Sequence, residues 1–188
     1  NNSFKKATFM KILIGSAILS IVIAYSNINP QQILIDGFEN SKDWKVISSD
    51  AARIKISNDE GGKNGKCLKI EYEFLGAGYC GIEREYPFEL PENYKFTFSL
   101  KGSSPKNNLE FKLIDKSGDN VWWKNQRYFD FPSSWQNITV RKKDIEFAWG
   151  PIGGGEVKNF EKIQIVIAAA EGGQGTIYLD DLKFEKIQ

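Results

Sequence analysis

Five residues have the types and neighbourhoods that sugar recognition calls for: Trp122 and Trp123 in DNVWWKN, Arg127 just after them, Trp149 in FAWGP and Tyr79 in GAGYCG. A pyranose presents an apolar C–H face and a rim of hydroxyls, so its receptors pair aromatic faces with amide, carboxylate or guanidinium partners. Asp119, Asn120, Lys124, Asn125 and Gln126 supply such polar groups close by. Adjacent Trp122 and Trp123 must point to opposite faces if they lie on a strand, which leaves one for the core and one for a surface. Trp44 and Trp135 are read as core or strand-end residues.

The acidic residues allow two other chemistries. Asp36 and Glu39 follow the first strand-like segment and Asp180 and Asp181 lie in the last. If those strands are neighbours, their carboxylates converge with backbone carbonyls, an oxygen set that suits calcium. Each acid alone could equally cap a turn or face solvent. A glycosidase needs two carboxylates roughly 5–9.5 Å apart. Glu83 and Glu85 share a strand face, Glu110 could lie nearby and Glu171 begins a turn, but no positional signature singles out an acid or a nucleophile. The chain has no histidine, which removes the commonest general base and zinc ligand. Gly153, Gly154 and Gly155 lack the Lys-Ser/Thr and the helix start of a phosphate loop; they read as a flexible surface loop beside Trp149, placed to gate a binding face.

Strands must position all of these groups. Apolar residues recur at every second position in Leu68–Phe74, Tyr94–Leu100, Leu109–Leu113, Ile163–Ile167 and Ile177–Leu179, a period that buries one face and wets the other. Turn clusters rich in Gly, Asn, Asp and Pro separate them at 58–65, 101–108, 115–120 and 150–155. With no amphipathic helix between them, such strands form an all-β, antiparallel two-sheet sandwich or jelly roll.

With 188 residues and 41% hydrophobic content, the chain can bury one core. Twenty-five basic residues against 24 acidic ones leave a net charge of +1, which offers no surplus for neutralising a nucleic-acid backbone. Residues 1–26 have the layout of a secretory signal peptide: Lys5, Lys6 and Lys11, then the apolar run 12–26, with a small-x-small site at Ala24-Tyr25-Ser26. That run falls short of the roughly 20 residues a spanning helix needs. Residues 27–32 form a linker and 33–188 the sandwich. Export, to the medium, a periplasm or a cell surface, would permit a disulfide between Cys67 and Cys80. Cys67, however, alternates with the Leu68, Ile70 and Tyr72 series and so faces the other way; two free thiols remain the alternative.

The pairing of GFEN and Trp44 near the start with IYLDDLKF at the end resembles the galactose-binding-like jelly-roll carbohydrate-binding modules of bacterial polysaccharide-degrading enzymes. The succession ELPENYKFTFSLKG, NNLEFKLIDKSGDNVWWKNQRYFDFPSSWQ, FAWGPIGGG and IYLDDL looks like the N-terminal module of large secreted bacterial discoidin-domain or glycoside-hydrolase proteins, over residues 33–188. The resemblance implies a structural calcium ion held by Glu39 and Asp181 together with backbone carbonyls, tying the chain ends together apart from the ligand site. It also implies a noncatalytic, monomeric module that binds polysaccharide or oligosaccharide and is fused to, or derived from, a larger catalytic protein.

Three functional readings follow. The first is a noncatalytic carbohydrate-binding module stacking sugars on Tyr79, Trp122, Trp123 and Trp149, with Arg127 bonding hydroxyls. The second is an adhesion or protein-recognition sandwich using the same aromatic patch. The third is a carboxylate-dependent glycan hydrolase or lyase, which would require two acids facing each other in a deep cleft.

Overall fold

The computed structural model describes residues 32–188. The expected signal peptide and linker residues 27–31 lie outside the described residues, and Gln32 already opens the first strand. Twelve strands among the described residues form two six-stranded sheets. The first runs β3 (Ala52–Asp59), β4 (Cys67–Phe74), β12 (Gln174–Lys186), β6 (Tyr94–Ser103), β9 (Gln136–Arg141), with β1 (Gln32–Asp36) also paired to β12. The second runs β10 (Glu146–Trp149), β8 (Val121–Phe129), β7 (Asn107–Ile114), β11 (Asn159–Ala168), β5 (Tyr79–Glu89), β2 (Lys45–Ser48). Every pairing is antiparallel, giving the expected jelly-roll β-sandwich.

The period-two residues meet between the sheets. Phe96 and Phe98 of β6 pack on Phe111 of β7 with ring centroids 5.0 and 6.2 Å apart, and Ile163, Ile165 and Ile167 of β11 are buried beside them. Each such side chain taken from water contributes about 1.5–3 kcal/mol, so the aligned inner faces fix the register: slipping one strand by a residue would turn its whole set outward.

The first and last strands are neighbours, Gln32 opposite Glu185 and Leu34 opposite Lys183. β12 reaches both β4 and β1 by breaking its register with β6 between Asp180 and Lys183. Asp181 sits at that break with φ 52°, a left-handed conformation that Asp tolerates better than most residues.

The two cysteines are free and buried. Cys80 joins the inter-sheet core, whereas Cys67 packs on the outer side of the first sheet with its Sγ 3.7 Å from the Asp59 carbonyl. They point away from each other on different sheets, so the chain is held without a disulfide.

Candidate functional site

The pleat decides between the two adjacent tryptophans. Trp122 points inward, 5% exposed, edge-on to Phe147 at 5.6 Å, with its indole N–H donating to the Gly155 carbonyl at 2.7 Å. Its assignment to the ligand surface is therefore corrected: it is a core residue that also pins the 150–155 loop. Trp123 points outward and meets Trp149 of the neighbouring strand edge to face, centroids 5.4 Å apart at 87°. Trp149 is 47% exposed, and Tyr79, at the start of β5, is 44% exposed.

These three rings wall a groove of about 540 Å³ on the outer face of the second sheet, floored by Glu110 and Lys112 of β7 and Gln164 of β11. The register explains the floor, because Lys112 lies opposite Trp123 and Glu110 opposite Asn125, while Gln164 lies opposite Lys112. The Lys112 ammonium is 5.7, 5.6 and 5.2 Å from the centroids of Tyr79, Trp123 and Trp149, respectively. It also lies 2.8 Å from a Glu110 carboxylate oxygen. A cation held against three π faces is attracted to each, the more so once desolvated.

Arg127 is exposed but stands four residues beyond Trp123 on β8, roughly 13 Å along the strand. It lies outside the groove lining and beside a register shift between β7 and β8. Of the nearby polar residues, Lys124 turns inward to the Thr139 carbonyl and Asp144, and Asn120 ties the 115–120 turn together through Asp115. Asn125 alone among those five shares the outward side of β8 with Trp123 next to the groove floor, opposite Glu110.

The Gly150–Gly155 loop is anchored rather than free. Asn120 Oδ1 accepts the Ile152 N–H at 2.9 Å, and Gly155 accepts from Trp122. Gly150 is required where it stands, since a Cβ there would come within 2.7 Å of the Asn120 Cα. These bonds tie the loop to the end of β10 that carries Trp149, while Gly153, Gly154 and Gly155 have open space around them.

The acids on this face are engaged with cations. Glu83 binds Lys162 at 3.2 Å and the Gln164 amide at 2.7 Å, and Glu85 pairs with Lys45 at 3.2 Å. The sequence puts Glu110 and Lys112 on the polar side of β7, a solvated face open to use as a binding surface. Their alternation with Leu109, Phe111 and Leu113 located the outer face, but only strand order reveals that three aromatics close over it.

At the sandwich edge Glu39 and Asp181 converge on the segment between β3 and β4. Lys66 N–H donates to Glu39 at 3.2 Å, and Asn64 donates its side-chain amide to Asp181 at 2.6 Å. Gly65 lies against the Glu39 carboxylate with φ 75°, a left-handed conformation that favours glycine. Asp180 is spent on the Lys63 and Asn64 backbone N–H groups at 2.7 and 3.0 Å. Asp36 is spent on Arg84 and on the Trp44 indole. Among the described residues no three acidic or thiol side chains are grouped closely enough to hold a metal by themselves, so an ion here would need carbonyl ligands as well. Trp44 is core, stacked on Phe38 at 5.3 Å. Trp135 is half-buried on the opposite sheet face, where the Lys101 ammonium lies between its ring and that of Tyr178.

No family model and no curated protein sequence matches the chain. Solved structures do share its fold. The family 11 carbohydrate-binding module of a cellulosomal cellulase of Clostridium thermocellum superposes with a TM-score of 0.69 at 19% identity, over 85% of this chain and 96% of that one. The same organism's family 11 module in complex with a β-1,3-1,4-mixed-linked tetrasaccharide gives 0.67 at 20% identity, over 81% and 94%. An exo-β-agarase gives 0.57 at 14% identity, over 82% of this chain but 25% of its own. At these identities the shared property is the β-sandwich.

Proposed function

We propose that this chain is a noncatalytic carbohydrate-binding module that takes a polysaccharide or oligosaccharide into the groove walled by Tyr79, Trp123 and Trp149. The observation that carries the reading is this groove: aromatic walls over a floor of Glu110, Lys112 and Gln164, with both walls and floor on one sheet face. Aromatic faces supply stacking area for C–H groups, and the floor supplies donors and acceptors for hydroxyls. A flat apolar patch without such a floor would instead have favoured protein adhesion. Ion pairing of Glu83, Glu85 and Glu110 favours binding over hydrolysis, since each carboxylate already has a cationic partner. A fold shared with a module solved in complex with a mixed-linked tetrasaccharide supports the same reading.

The wider context belongs to the same proposal: an exported, monomeric module serving a larger glycan-processing protein. Glu39 and Asp181 would hold a structural calcium ion with carbonyl oxygens of the segment between β3 and β4. The oxygen character of both side chains and their convergence on a single turn fit that ion, which would take the place of the Lys183 ammonium 3.2 Å from Asp181. Arg127 would act on a sugar residue beyond the groove rather than at its centre. The test is titration of the chain with soluble gluco-, agaro- and galacto-oligosaccharides by calorimetry. Saturable binding to at least one class supports the reading; a folded chain that binds none refutes it.

A further inference from the structure

On an outward-facing strand position an ion pair is ordinarily open to water, as Lys45–Glu85 is with side chains 70% and 62% exposed. Lys112–Glu110 occupies an outward-facing stretch of β7, yet its side chains are 9% and 6% exposed. Desolvating both charges is expensive, and apolar residues of similar size would hold such a place at least as well. The pair is therefore poorly explained as a stabilising device.

The hydrogen-bond inventory says what it is suited for. A lysine ammonium carries three N–H donors. Glu110 is the one carboxylate within ion-pairing distance of Lys112 among the described residues, and the three rings surround the ammonium at 5.2–5.7 Å.

We propose that Lys112, positioned by Glu110, is the specificity-determining contact of the groove, donating to a ring or hydroxyl oxygen of the sugar held against Trp123 and Trp149. A sugar oxygen accepts from the ammonium, whereas an apolar ligand of equal size leaves its spare donors unpaired. The inference rests on the groove being the saccharide site.

The test uses the full chain and the tightest-binding oligosaccharide of the gluco-, agaro- and galacto- series. The double variant Glu110→Gln/Lys112→Met removes both charges together and keeps the side-chain bulk, so the fold and its melting temperature are retained. Its affinity falls about ten- to a hundredfold, the value of a hydrogen bond to a charged donor. A structural role would do the reverse, lowering stability and sparing affinity. Should the double variant fail to fold, Lys112→Arg keeps the ion pair but displaces the donors; unchanged affinity in that variant overturns the proposal. Equal binding by the wild type and a folded double variant overturns this inference alone. No binding by the wild type overturns the groove reading with it.

Discussion

Replacing Trp149 by alanine should weaken ligand binding sharply while leaving the chain folded. An indole side chain buries up to about 250 Å² when fully covered. Trp149 is 47% exposed, so roughly 70–120 Å² of it is available to a ligand. At ~25 cal/mol per Å², covering that area contributes about 2–3 kcal/mol, which corresponds to a 30- to 150-fold weaker Kd, at ~1.4 kcal/mol per decade, once the ring is gone. In the free protein the already covered half of the ring, roughly 80–130 Å², is lost together with its edge contact to Trp123, about 2–3 kcal/mol of stability and several degrees of melting temperature. Trp122→Ala is the counter-experiment: its ring is 5% exposed, and emptying that space should destabilise the chain by about 3–5 kcal/mol. Calorimetric titration with oligosaccharide and thermal melts of both variants separate the two effects. A Trp149→Ala protein with unaltered Kd, or a Trp122→Ala protein as stable as its parent, would refute the assignment of these rings to surface and core.

Burial pushes the thiols of Cys67 and Cys80 up to about 11 and about 12. The folded chain should therefore resist a thiol-specific reagent at pH 8 and release two equivalents only on unfolding; rapid reaction of either would contradict their burial. Chelation should lower the melting temperature if calcium is held by Glu39 and Asp181, and Asp181→Asn, which keeps a residue tolerant of positive φ, should remove that dependence; an unchanged melt in excess chelator would count against the ion. Asp115 and Asp144 titrate below the ordinary 3.8: desolvation acts to raise both, but hydrogen bonds from Ser117 and Asn120 in the first case, and from the Arg141 backbone and Lys124 in the second, outweigh it. The folded state then binds fewer protons than the unfolded, so their contribution is complete above pH 3.8 and lost as pH falls through the folded values. Urea midpoints should drop across that window, and less steeply in Asp115→Asn; identical profiles would show that the turn does not stabilise the fold.

The sandwich was legible because its information is local. Alternation in Tyr94–Leu100 or Ile163–Ile167 names the buried face without reference to any other strand, and GFEN and IYLDDL anticipated that β1 and β12 would be neighbours. The adjacency of Trp122 and Trp123 likewise required one to be core, but which one depends on the register of β8 against β7 and β10. The groove floor was not legible, since Lys112 and Gln164 meet only through the order β8-β7-β11, which brings together residues more than fifty positions apart. The same non-local placement separates Cys67 from Cys80: both belong to consecutive strands, yet β4 and β5 enter different sheets.

Calorimetric titration of the folded chain with oligosaccharides from several glycan classes, run beside Trp149→Ala, tests the central claim most directly. Saturable binding to one class, weakened at least tenfold in the variant, is the result expected of a stacking groove. Heat-silent titrations across every class by a chain that melts cooperatively would contradict it.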